Sequence, residues 1–141
     1  MSLSEPLTYK KHFTPGEANA MLPLVRSIVR DISELAHSLR ERHERLYRAG
    51  AEEEADDPFH AAYREERVHA QEELEADQQR LQGYVEELTK LGVELKDYFA
   101  GLVDFTCLRD GREVYLCWKL GEPEVGFWHE LEAGFAGRQK L

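Results

Sequence analysis

GLVDFTCLRDGREVYLCWKLGEPEVGFWHELEAGFAGR, residues 101–138, decides how the chain is built. Two β-rich runs, 102–109 and 112–120, flank Asp110-Gly111, and an Asp-Gly pair between such runs signals a two-residue hairpin turn. That turn sets Arg109 opposite Arg112, Cys107 opposite Val114, Phe105 opposite Leu116 and Asp104 opposite Cys117. Side chains alternate along a strand. Val103, Phe105, Cys107, Val114, Leu116 and Trp118 therefore share a face that should pack on the rest of the chain. Asp104, Thr106, Tyr115, Cys117 and Lys119 share the other. Gly121-Glu122-Pro123-Glu124 reads as a turn and 125–130 as a third strand, with Phe127 opposite Trp118. This register sets Cys117 beside Trp128 and Glu130 beside Tyr115, and a slip of one residue would exchange the faces. Residues 131–141 read as a tail that covers one sheet edge or the hairpin base with Leu131 and Phe135.

Upstream, the period changes to that of helices. Thr14-Pro15-Gly16-Glu17 is a capping box with proline at the first helical position. Leu22, Val25, Ile28, Val29, Ile32, Leu35, Ala36, Leu39 and Leu46 follow at three- and four-residue steps. Pro23 predicts a kink or short break, and Gly50 a stop. After the acidic run 51–57, Asp57-Pro58 begins a second helix that Gly92 ends. Leu74, Leu81 and Leu88, seven apart, give it a coiled-coil seam. Two helices of about 35 residues, each roughly 50 Å long, joined by a short connection, predict an antiparallel hairpin. A connection centred near residue 53 sets Leu39 against Val68 and Ile32 against Leu74, with Arg42 and Arg45 near Glu65 and Glu66. Val93–Lys96 alternates as a short strand or extended entry to the sheet.

Composition narrows the function classes. The chain has 141 residues and a formal net charge of −10, which disfavours a nucleic-acid partner. Residues 51–92 carry 13 acidic and four basic side chains, nearly all of the excess. No apolar run approaches the roughly 20 residues that span a bilayer, and the first residues lack the apolar core of a secretory signal. Two cysteines make no disulfide framework, so a reducing cytoplasm is the expected compartment.

The chemistry-bearing residues concentrate on the sheet. Asp104, Arg112, Cys117, Lys119, Glu122 and Trp128 form the candidate ligand surface. Cys107 and Cys117 fall on opposite faces, which disfavours a bond between them, and Asp104 opposite Cys117 raises the thiol pKa rather than activating it. His129 and Glu130 are adjacent on a strand and point apart. His129 could join Glu122 or Asp104 around a metal only if the strand bends; otherwise it is a histidine at the helix–sheet interface. Glu34-x-x-His37 and Glu66-x-x-His69 match the pattern of carboxylate-bridged di-metal bundles, making His37 and His69 further metal candidates if a second copy supplies carboxylates. No cofactor motif is present: 134–138 is glycine-rich but lacks the lysine and spacing of a phosphate loop.

HFTPGEANAMLPLVR at residues 12–26 and the stretch at 101–138 resemble an uncharacterised prokaryotic family, domain of unknown function 2203. The resemblance implies a small bacterial protein and brings no reaction, cofactor or catalytic residue.

The reading that follows is a single α+β domain. A long antiparallel helical hairpin (12–92), kinked near Pro23, packs at its base on a small antiparallel sheet of about three strands (93–141). The wide basal stripe of the first helix predicts a homodimer in which hairpins cover one another. The expected function is a non-enzymatic interaction or assembly module with a second copy or another protein as partner. The alternative is a ligand- or metal-binding protein, or small enzyme, with its site on the sheet.

Overall fold

The computed structural model describes residues 11–52 and 60–141. Two helices, α1 (Pro15–Glu52) and α2 (His60–Leu91), precede five strands: β1 (Val93–Asp97), β2 (Leu102–Arg109), β3 (Arg112–Lys119), β4 (Phe127–His129) and β5 (Gln139–Lys140). The strands form one antiparallel sheet in sequence order. The architecture is α+β, with five strands rather than about three. The entry segment pairs with β2 as β1, with a bulge at Lys96, and part of the expected tail pairs with β4 as β5 after a single 3₁₀ turn at Phe135–Gly137.

The cap of α1 forms as its residues predict. The Thr14 hydroxyl accepts the Glu17 N–H at 3.1 Å, and the Glu17 carboxylate accepts the Thr14 N–H at 2.9 Å. The helix is continuous through Pro23, so no break occurs there; the missing N–H removes one rung near the start of a long ladder. It also runs past Gly50 to Glu52, since one glycine costs only about 1 kcal/mol in a helix. The Asp57-Pro58 start of α2 lies outside the described residues. Its expected end holds, with Gly92 in the left-handed region at φ 87°.

The longer α1 moves the contact between the helices. Leu35 and Leu39 cluster with Leu74, and Arg42 pairs with Asp77 at 2.9 Å. Val68, the expected partner of Leu39, is 55% exposed. The facing positions on α2 thus lie about two turns further toward its C-terminus than a connection centred at residue 53 requires.

The main core is shared by helices and sheet. Leu22, Val25, Ile28, Val29 and Ile32 of α1 and Leu88 of α2 pack with Val103, Phe105, Val114, Leu116 and Trp118. The wide stripe of α1 is therefore buried within one chain, and a second copy is not needed to cover it. Gly101 marks how tightly the layers meet. Its φ is 72°, and a Cβ there would lie 2.7 Å from Leu120 Cβ and 2.9 Å from Val29 Cγ1.

Candidate functional site

The β2–β3 hairpin sets the frame. Asp110 (φ 53°) and Gly111 (φ 76°) adopt the left-handed conformations of the two-residue turn, and the pairing Asp104↔Cys117, Phe105↔Leu116 and Cys107↔Val114 is the one the turn predicts. Cys117 accordingly faces away from the helices beside Asp104.

The next strand departs from the expected register by one residue. Phe127 pairs with Cys117, Trp128 with Leu116 and His129 with Tyr115. The cause is the loop between β3 and β4. Glu122 folds back on β3, accepting the Lys119 N–H on its carboxylate (2.8 Å) and the Trp118 indole N–H on its carbonyl (3.1 Å). Val125 is taken out of the ladder by Asn19 of α1, which accepts its N–H at 2.7 Å and donates to its carbonyl at 3.2 Å. Val125 is buried in the core instead of pairing with Leu120.

The slip exchanges the faces of β4. Trp128 turns into the core, with the Arg109 guanidinium 4.5 Å from its ring centroid, and so leaves the candidate ligand surface. His129, read as an interface histidine unless the strand bent, arrives on the outer face with no bend required. Its Nε2 lies 3.1 Å from Asp104 Oδ1. Asp104, Cys117 and His129 now meet, and one donor atom from each lies within 4.8 Å of the others.

All three are buried, at 3%, 0% and 2% exposure. His129 Nδ1 donates to the Glu130 carbonyl at 2.7 Å, so the contact between Nε2 and Asp104 holds one shared proton. Burial raises the Asp104 pKa, partly opposed by His129 and Lys96. Burial first, and Asp104 second, push the Cys117 thiol up to about 12. Cys117 is therefore a thiol in this state and donates to Asp104, which makes it a poor nucleophile.

A second layer surrounds the three. Arg138 Nη1 lies 3.9 Å from Cys117 Sγ, and the guanidinium makes a two-pronged pair with Glu122 at 3.1 and 2.6 Å. The rings of Phe127 and Phe135 hold it at 3.9 and 4.4 Å. On the other flank Glu94 accepts the Tyr115 hydroxyl at 3.2 Å and Lys96 Nζ at 3.1 Å, and the Tyr115 ring leans on His129.

The remaining candidates lie apart. Lys119 sits over Phe135 at 5.5 Å. Arg112 pairs with Glu130 at the hairpin edge at 2.7 Å. His37 contacts the Phe99 carbonyl at 3.2 Å, and His69 pairs with Glu73 one turn along α2. The two histidines are not brought together. Glu94 was not legible as part of the site; its alternation with Val93 and Leu95 was the available signal. His129 was hidden by the register of β4.

The family model described as an uncharacterized conserved protein (DUF2203) matches residues 11–141. The chain belongs to this family. Neither the curated proteins nor the solved structures contain a match to it. No helix among the described residues is long and apolar enough to cross a membrane.

Proposed function

We propose that this DUF2203 protein is a small-ligand-binding protein whose site is the outer face of its sheet. One observation carries the reading: a carboxylate, a thiol and an imidazole from three strands converge in a buried spot that Arg138 and Glu122 cover. Buried polar groups cost stability unless satisfied, and apolar side chains would fill the same space without that cost. A set of donors held together there is what a recognition site needs. The burial favours a ligand of a few atoms, and the core shared by helices and sheet favours treating the chain as one domain. The expected compartment remains the cytoplasm, where the two thiols stay reduced. The test is native mass spectrometry of the full chain as purified and after dialysis against a chelator. A bound species that disappears in Asp104→Asn is expected. A bare mass in both states, with no shift of the thermal midpoint on adding divalent metals, phosphate or small carboxylates, overturns the reading.

A second reading, assembly through an antiparallel helical hairpin, is favoured by the distal halves of α1 and α2. A cleft of about 640 Å³ there is lined by Leu46, Ala49, Tyr63 and Ala70 among arginines and the glutamates Glu66 and Glu73, and Tyr47 is 76% exposed. Light scattering at micromolar concentration should give a dimer mass that Tyr47→Ser/Tyr63→Ser reduces to a monomer. A monomer for the unaltered chain rejects it.

A further inference from the structure

We infer that the ligand of the outer face is a thiophilic divalent transition-metal ion, zinc before the others, held by Asp104 Oδ1, Cys117 Sγ and His129 Nε2. The inference rests on the ligand-site reading above and names the ligand's class.

Three features point to this chemistry. The first is spacing. Bonds of about 2.0–2.3 Å around a tetrahedral ion separate neighbouring donors by roughly 3.3–3.7 Å. The imidazole nitrogen and carboxylate oxygen are 3.1 Å apart, and no two donors exceed 4.8 Å. An ion at their centre needs the farthest pair to close by about 1 Å.

The second is charge. A buried site tolerates little net charge. One carboxylate and one thiolate offset a divalent ion completely, and the neutral imidazole adds nothing. Arg138 and Glu122, beside the sulfur, offset each other. A monovalent or trivalent ion leaves one charge uncompensated.

The third is the surrounding shell. A ligating histidine characteristically donates its other ring N–H to a carbonyl or carboxylate, which fixes the ring. His129 Nδ1 already does so, to the Glu130 carbonyl, and Nε2 is left aimed at the other donors. A thiolate and an imidazole select zinc, cobalt, iron or copper over magnesium and calcium, which want oxygen.

Binding displaces two protons per ion, the Cys117 S–H proton and the one shared between Asp104 and His129. No electron is transferred. Three protein donors leave a fourth position for water or a further ligand, the arrangement of zinc sites that do more than brace a fold.

The test is titration of the full chain, reduced and stripped with a chelator, with Co²⁺. We expect a thiolate-to-cobalt charge-transfer band that saturates at one ion per chain and is displaced by one equivalent of Zn²⁺. The band should persist in Cys107→Ser and vanish in Cys117→Ser. Asp104→Asn should weaken Zn²⁺ binding by more than the roughly 10–100-fold that loss of an outer-shell partner costs. Circular dichroism verifies that each variant is folded. The unaltered chain and Cys107→Ser decide the matter even if Cys117→Ser does not fold. Absence of a saturating band in the folded, unaltered chain overturns the inference, as does a band lost in Cys107→Ser. A bound species that survives chelation and depends on Asp104 overturns the metal and leaves the ligand site standing. Absence of any bound species overturns both.

Discussion

The two faces of the sheet carry dry patches that are chemically opposite. On the inner face Val103, Phe105, Val114, Leu116 and Trp118 are sealed by the helices. On the outer face Asp104, Thr106, Cys117 and His129 are sealed by Phe127, Arg138 and their neighbours on the sheet itself. The inner face is held by area: many non-directional contacts, each replaceable in kind. The outer face is held by pairing, in which each group is stable because another answers it. Burial alone therefore does not separate core from site; the dependence of one side chain on another does.

That contrast can be broken by substitution. The largest effect is expected on the inner face. Trp118→Ala removes the largest fully buried side chain among the described residues and should cost about 3–5 kcal/mol, read from denaturant midpoints at constant slope. A loss near 1 kcal/mol would mean that the helices do not rest on this face. The outer face should respond less and in a different manner. Asp104→Leu or His129→Leu alone leaves a buried partner unanswered, at about 1–3 kcal/mol each. The double variant orphans neither, so its cost should fall below the sum of the two by at least about 1 kcal/mol. Strict additivity in chelator would show that the outer face is ordinary core. The smallest effect is at the solvent-exposed capping box of α1. The Thr14 N–H holds the Glu17 carboxyl below its usual 4.5. A depressed folded pKa stabilises above that value and loses its contribution as pH falls through the folded one. Glu17→Gln should thus melt below the unaltered chain at pH 6, and the gap should narrow as the pH falls below 4.5. A gap that widens on acidification would contradict the capping geometry.

How far the sequence could be read follows the range of the forces involved. The hairpin register was legible because Asp110-Gly111 fixes it within two residues, and the cap of α1 because Thr14 and Glu17 lie three apart. The outer face itself was legible through Asp104 opposite Cys117. The position of His129 was not, because the length of the β3–β4 loop is set by Asn19, 106 positions upstream. The strand count fell short for a related reason. Gln139–Lys140 has no strand pattern of its own and pairs because β4 presents an edge. The contact of Leu39 with Leu74 rather than Val68 depends on α1 continuing through Gly50, a difference of about 1 kcal/mol that tertiary packing overrides. The basal stripe suggested a second copy because its width was readable while its cover, the sheet, lies 70 or more residues away.

The clamp between Asn19 and Val125 carries a consequence for how the molecule is made. A second long tie joins the same ends: the Phe13 N–H donates to the Thr106 carbonyl at 2.7 Å. On the ribosome, α1 emerges before the sheet, with its apolar stripe complete and the residues that cover it still to be made. At about 5–20 residues per second, roughly 5–20 s separate the synthesis of Asn19 from that of Val125. For that interval the nascent helix is an amphipathic surface without its partner, and it depends on α2 or a chaperone for cover. Closure of the base is then a late, long-range step, and the vulnerable period of this protein's life falls before its last strands are made.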